Sequence, residues 1–388
     1  MALPLSYNIR NIAVRWRVTL LAVGGIALVV AVLLVLTSMA NGFRVALRAT
    51  GSPENAIVTQ RGSASELTSG FSRDNASMIV VDSRVARDAQ GRPLASPEIV
   101  VVASLPRRAD AAEVNVTVRG VSPMAFEVRR GVRIVEGRTF TPGLYELVVG
   151  RKAGNRYEGA QVGSTIRLQR RSWEVVGVFE SDGSGFESEI WGDVEVMGPA
   201  FGRANGYQSL TLRLADPSTL QAFDDDLQRN PSMQVQVTDE LSYYEGQAGQ
   251  TATVLVGLAV FVGLVMGVGA VFGAMNTMYG LVSTRTREIG TLRALGFSRP
   301  AIMTAFIIES AFLAFIAGLI GCVLALPVNW MSGATGGANF SEVAFAFRIS
   351  PVWMVIAIVA AVAMGIAGGL FPSFRAARTP ITAALRDA

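Results

Sequence analysis

The chain has 388 residues, 51% hydrophobic and 16% charged, with 40 glycines, a formal net charge of +4 and a mean hydropathy of +0.40. A chain this apolar cannot cover itself with polar surface in water, so long segments must meet lipid, and its basic residues gather at the ends of apolar segments rather than in a nucleic-acid-binding run. It has no histidine and one cysteine, Cys322, inside an apolar segment, which excludes histidine-based catalysis, histidine metal sites and an intrachain disulfide.

Residues 1–17 form a basic N-terminal segment with Arg10, Arg15 and Arg17. Val18–Met39 carries no charge and as a helix would cover roughly 33 Å, enough for the hydrocarbon core. Its length favours an uncleaved first span over a signal peptide, although Ser38-Met39-Ala40 resembles a cleavage site. Over residues 40–250 the character changes. Short β-rich runs at Ala56–Gln60, Met78–Asp82, Glu98–Ser104, Glu113–Arg119, Tyr145–Val149, Thr165–Leu168, Trp173–Phe179 and Ser209–Leu214 are separated by Gly, Pro, Asn and Asp. Alternation along Glu113–Arg119 predicts a strand with one buried face, and Asp216 caps a helix over Pro217–Arg229. The segment is large enough for an α+β domain with its own core.

A second span is expected over 251–280, slightly overlong for a bilayer, then a helical connection over 281–299. The third span, 300–330, starts at the N-cap Ser298 with Pro300 in its first turn and exits at Pro327. A loop over 331–350 leads to the fourth span, 351–371, bounded by Ser350-Pro351 and Phe371-Pro372, and to a tail over 372–388. The predicted fold is therefore a membrane α-helical protein of four transmembrane helices, with a large α+β extracytoplasmic domain inserted between the first and second. Three basic flanks share one side: the N-terminal arginines, Arg285, Arg287, Arg293 and Arg299, and Arg375, Arg378 and Arg386. The excess of positive charge assigns that side to the cytoplasm, with both termini there, and the large domain outside the inner membrane.

Within the connection, Ser283–Leu295 reads as a short amphipathic helix closed by Gly296 at the C′ position. Ile289, Leu292 and Leu295 share one side, and Arg285 can pair with Glu288 at i,i+3. Such a helix either lies on lipid headgroups or presents a knob to a partner's groove. Glu309, two turns into the third span, is an intramembrane acid, read as a carboxylate paired with a polar neighbour or protonated in preference to a proton relay. Gly263/Gly267, Gly269/Gly273 and Gly365/Gly369 are small-residue pairs that permit close helix approach, within one subunit or at a dimer seam. The acidic loop Asp182–Glu189 and the run Asp224–Asp226 fit no standard calcium spacing and read as solvated.

The run Thr286-Arg287-Glu288-Ile289-Gly290-Thr291-Leu292-Arg293-Ala294-Leu295-Gly296 resembles the cytoplasmic signature of the FtsX/MacB-like ABC transporter permeases. The tail from Phe371-Pro372 through Arg375-Ala376-Ala377-Arg378-Thr379-Pro380 to Ala384-Leu385-Arg386 is similar to that family's C-terminal pattern. Arg10-Asn11, Arg17–Leu21, Val118-Arg119-Gly120-Val121, Gly137-Arg138, Gly150, Gly163 and Val176-Gly177-Val178 follow in the family's order. The resemblance implies a two-lobed outer domain, with the inserted lobe near 132–203, and a second permease subunit, expected as a homodimer. It implies docking of a separate ABC ATPase on the segment containing Arg285, Arg287, Glu288, Ile289, Gly290, Leu292, Arg293, Leu295 and Gly296. The sequence contains no G-x-x-x-x-G-K-[ST] run, so ATP and Mg2+ are expected on the ATPase and no cofactor on this chain, which is not expected to be an enzyme. ATP hydrolysis would then move the outer domain to export or extract an extracytoplasmic substrate, a mode called mechanotransmission, with a periplasmic adaptor and outer-membrane channel as further partners. The alternative from the same resemblance is an FtsX-like module that regulates cell-wall hydrolases without transport; the size of the outer domain is closer to the export branch. Reporter fusions at Gln90 and at Arg287 test the topology. Gln90 should report outside and Arg287 inside, and a cytoplasmic signal at Gln90 would overturn the four-span reading.

Overall fold

The computed structural model describes residues 16–336, 341–378 and 380. Arg10, Arg15 and the tail motif from Ile381 onward lie outside these residues. The chain divides into two units: one of residues up to Asn41, Val254–Met331 and from Phe347 onward, the other of Gly42–Thr253 with Ser332–Ala346.

The first unit is helical. Trp16–Arg48, Glu240–Thr284, Arg299–Ala325 with its 3-10 extension Leu326–Trp330, and Pro351–Arg378 are each long and apolar enough to cross a membrane. Their shared core contains Ile26, Val30, Leu34, Leu313, Ala317 and Ala361. The third helix begins as its cap chemistry requires, with Ser298 Oγ accepting from the Ala301 amide at 3.4 Å. Three helices outrun the sequence reading, the first by continuing past Met39 to Arg48. The second starts at Glu240 as one continuous 45-residue helix. The fourth passes through Pro372 to Arg378. Proline removes one backbone bond, yet Pro372, Ser373, Ala376 and Ala377 are all buried and Ser373 Oγ donates to the Gly369 carbonyl at 2.5 Å. That burial keeps the last turns helical.

The glycine pairs separate by environment. A Cβ on Gly365 would lie 2.3 Å from Ala314 Cβ, and one on Gly369 would lie 2.2 Å from Ser310 Oγ. This pair seats the fourth helix against the third within the subunit. A Cβ on Gly263 would meet Leu33 at 3.3 Å and one on Gly267 would meet Met364 at 3.1 Å, whereas Gly269 and Gly273 meet nothing within 4 Å.

The second unit is built on a ten-stranded sheet. Its strands are β1 (Asn55–Gln60), β3 (Ala95–Pro106), β4 (Glu113–Val121), β5 (Arg133–Gly137), β6 (Glu146–Gly150), β7 (Thr165–Leu168), β8 (Arg171–Glu180), β9 (Ile190–Asp193), β11 (Ser209–Arg213) and β12 (Val235–Asp239); β2 (Phe71–Ser72) pairs separately with β10 (Gly206–Tyr207). The order is β12-β1-β11-β3-β4-β9-β6-β8-β5, with β7 on β8. Strands 133–193 join the rest through the parallel pair β4–β9. Met78–Asp82 is not a strand. Arg73–Val80 is a helix, because Ser72 Oγ accepts from the Asn75 amide at 3.1 Å and Ala76 and Ile79 bury one face. In β4 both faces are buried from Val116 on, not one, since Thr117 and Arg119 turn into polar contacts. The loop over 182–189 also departs from its solvated reading, with Gly185, Phe186, Glu187 and Ser188 all buried.

The 331–350 connection folds as a hairpin of β13 (Ser332–Gly336) and β14 (Glu342–Ala346) that belongs to this second unit. Glu342 takes Arg107 at 3.2 Å and Arg156 at 2.8 Å, and Ser188 Oγ accepts from the Ala344 amide at 2.9 Å. Gly365→Leu forces side-chain atoms into Ala314 and should lower stability by about 1–3 kcal/mol or more. Gly269→Leu, in open space, should leave the thermal midpoint of the protein in detergent unchanged; equal losses from both would refute the assignment.

Candidate functional site

The short helix Thr286–Ala294 is fixed by three contacts within the helical unit. Arg285 Nη1 donates to Glu309 Oε2 at 2.9 Å, with both side chains buried. Ile289, 2% exposed, packs with Met278, Leu281, Ile302, Phe306 and Ala376. Arg293 Nη1 donates to the Ala377 carbonyl at 2.7 Å. The helix closes in a Schellman turn: the Gly296 amide bonds the Arg293 carbonyl at 3.2 Å and the Phe297 amide bonds the Leu292 carbonyl at 3.1 Å. Gly296 has φ +95°, as its C′ position requires.

This geometry corrects two expectations, for Arg285 and for the outward face. Glu309 agrees with the paired reading, its partner being Arg285, 24 residues away in sequence. Arg285 is therefore committed to Glu309 and is not a surface contact. Ile289 and Gly290 are buried, so they do not share an outward face with Leu295, which is 72% exposed; Leu292 is half-buried. The outward stripe is Arg287, Glu288, Thr291, Ala294 and Leu295, spaced as one face of a helix. Position 289 is inward because residues 285, 289 and 293 line the side that meets Glu309 and the fourth helix.

A larger cluster, which the sequence reading missed, lies inside the α+β unit. Arg119 uses all its N–H groups: Nε and Nη2 on Glu189 at 2.8 and 3.0 Å, Nη1 and Nη2 on Glu66 at 2.7 and 3.1 Å, and Nη1 on Glu98 at 2.9 Å. Glu98 also holds Arg129, whose Nε reaches Glu240 at 3.0 Å and whose Nη2 reaches Thr211 Oγ1 at 2.8 Å. Glu240 in turn accepts from Asn55 Nδ2 at 2.8 Å and the Ser52 amide at 3.2 Å. Six charged side chains from distant positions form one chain, of which only Arg119 stood in a motif. The available signal was the inward register of Arg119 beside Thr117 in β4. Burial pushes the Glu66 carboxyl up, but the Arg119 charge and hydrogen bonds from Arg119 and Ser209 outweigh it and hold it below its ordinary value.

Four helices long and apolar enough to cross a membrane, with an α+β domain in the chain between the first and second, define a multi-span membrane protein. The MacB-like periplasmic core domain family matches residues 19–230, more than half of the chain, and the FtsX-like permease C-terminal family matches residues 260–381. The chain belongs to the MacB/FtsX-like ABC transporter permeases. The macrolide export ATP-binding/permease protein MacB of Bordetella avium is 31% identical over 320 residues, covering 75% of this chain and 46% of that protein. The ABC transporter permease YknZ of Bacillus subtilis is 26% identical over 297 residues, covering 71% of this chain and 70% of that protein. The chain thus spans less than half the length of the MacB relative. The crystal structure of the extracellular domain of the noncanonic ABC-type transporter YknZ from Gram-positive bacteria superposes with a TM-score of 0.35 at 16% identity, covering 47% of this chain and 99% of that domain.

Arg119→Met leaves Glu66 and Glu189 without their guanidinium in the interior and should destabilise the protein by about 3–5 kcal/mol, read as a lowered thermal midpoint. A carboxyl held below its unfolded value contributes stability above that value and loses it as pH falls through the folded one. The Glu66 contribution should therefore persist at neutral pH and be lost progressively as pH falls from about 4.5 through the lower folded value. A wild-type thermal midpoint that rises on acidification through that window would contradict the network's role.

Proposed function

We propose that the chain couples ATP hydrolysis by a cytoplasmic ATPase partner to movement of its extracytoplasmic domain, for export or extraction of an extracytoplasmic substrate. The observation that carries this reading is the split character of the 286–294 helix. Its inner side is pinned by Arg285–Glu309, Ile289 and Arg293–Ala377, while Arg287, Glu288, Thr291, Ala294 and Leu295 point outward. A push on a helix anchored in this way is passed to the third and fourth spans and not absorbed by local slippage. A charged stripe ending in an exposed Leu295 suits a groove on a folded partner. The site residues with which the ATPase makes contact are accordingly the outward set, and the buried set transmits.

A second copy of the chain is proposed to pair through the second span. Only 11% of the apolar window of that helix is buried within the subunit, against 28–39% for the other three. Gly269 and Gly273 stand open on it among exposed Leu264, Val265, Val268 and Phe272.

Burying Leu295 in a partner's groove would stabilise the contact by about 1.5–3 kcal/mol, so Leu295→Asp should weaken ATPase binding by roughly ten- to a hundredfold while the permease folds normally. Ile289→Asp, by contrast, should destabilise the permease itself. Co-purification of the ATPase with each variant, alongside ATPase stimulation, checks this. Full recovery and stimulation with Leu295→Asp would sink the docking face.

A further inference from the structure

One guanidinium in the α+β unit has been left out of the ionic chain. A cavity of about 310 Å³ opens in this unit, lined among others by Asn55, Arg130, Arg213 and Glu240. Arg213 is 6% exposed, and its Nη2 donates to the Val128 carbonyl. Its Nε and Nη1 are buried and have no hydrogen-bond partner among the described residues. Glu54 approaches Nε only to 3.8 Å, beyond hydrogen-bond reach, and its side chain is 57% exposed. The carboxylate of Glu240 is committed elsewhere, one oxygen to Arg129 and the other to Ser52 and Asn55. Arg130, exposed on the same cavity, forms no ion pair among the described residues.

Two nitrogens of a buried cation, with three N–H groups and no acceptors, are costly, because they have lost water and gained nothing in return. Burial first, and then the like charge of Arg130, holds Arg213 below the ordinary guanidinium value despite Glu54 and Glu240. A cavity of this size has room for several waters or a small polyatomic group, since a water takes up about 30 Å³. The missing acceptors, the adjacent second guanidinium and the available volume ask for the same thing, an oxygen-rich anion.

We propose that this cavity binds a phosphate group, with Arg213 as the buried anchor and Arg130 as the contact at the rim. Nη2 carries a second N–H beside the one given to Val128, and with Nε or Nη1 it forms a planar fork that matches two oxygens of one phosphate, which a carbonyl cannot satisfy. Glu54 is the competing anion, and it swings aside when the site is filled. The phosphate can come from a lipid headgroup or from a soluble phosphate. The proposal stands on the geometry of the α+β unit and is independent of ATPase coupling.

The test uses the full chain in nanodiscs. In discs of phosphatidylcholine, inorganic phosphate is titrated against chloride at constant ionic strength and the thermal midpoint is followed. A parallel preparation in phosphatidylglycerol is examined by native mass spectrometry for retained lipid. A saturable upward shift with phosphate identifies a soluble ligand. Retention of phosphatidylglycerol with no phosphate effect identifies a headgroup. Either supports the site, provided that Arg130→Gln, an exposed change that spares the fold, weakens the effect by about tenfold or more and Glu54→Gln strengthens it. Arg213→Lys keeps the charge but loses the fork, and should weaken binding while the protein remains folded. Absence of both effects in wild type, or effects that Arg130→Gln and Glu54→Gln leave unchanged, would overturn the proposal.

Discussion

Glu240 is the residue on which the α+β unit depends most. It is the first residue of the 45-residue helix, fully buried, and its two oxygens hold Arg129, Asn55 and the Ser52 amide. Ser52 and Asn55 lie just after the first long helix ends at Arg48, so one carboxylate ties the point where the chain enters the domain to the point where it leaves. Through Arg129 and Glu98 the tie continues to Arg119 on β4, and from there to Glu66 and Glu189. Buried ions of this kind are a poor source of net stability, because desolvation offsets most of the attraction. They are a good source of geometric definition, since any displacement leaves a charge uncompensated.

That distinction separates the ionic chain from the apolar contacts around it. An apolar contact tolerates sliding, because its energy changes gradually with the area in contact. A guanidinium with all its N–H groups matched to three carboxylates does not, because each bond is lost within a fraction of an ångström of misalignment. Arg119 therefore locks β3, β4 and the 185–189 segment into one piece, and Phe186, under the Arg129 guanidinium at 4.7 Å, closes that piece against its aromatic core. The 285–309 pair follows the same logic in the helical unit, where it fixes the short helix to the third span.

The sequence was most legible where short-range chemistry decides. Four apolar runs, the caps at Ser298 and Asp216, and the turn at Gly296 each depend on a few adjacent residues, and each is found in the structure where the pattern puts it. It was least legible where two distant residues meet. The partner of Glu309 could not be named because Arg285 lies in another element, and the ionic chain spans residues 66 to 240. Ile289 and Leu295 looked equivalent because a helical stripe gives periodicity but not which side faces the protein; that side is fixed by Ala376 on the fourth helix, which continues past a proline that seemed to end it. Met78–Asp82 shows the reverse case, a β-branched run captured by a local N-cap.

The hairpin over 332–346 ties the returning chain into the α+β unit. All four long helices lead by chain connection into the α+β unit: the first at Gly42, the second from Thr253, the third at Ser332 and the fourth from Ala346. A plain loop between the third and fourth helices would pass on little, since a flexible segment absorbs displacement. A hairpin tied to Arg107 and Arg156 through Glu342 does not absorb it. At its far end Phe345 meets Phe43 edge-on at 5.9 Å, both almost fully buried, and a Cβ on Gly42 would come within 2.2 Å of the Ala346 carbonyl. The close approach of Gly42 to Ala346 means that the exit of the first helix and the return into the fourth share one packing site.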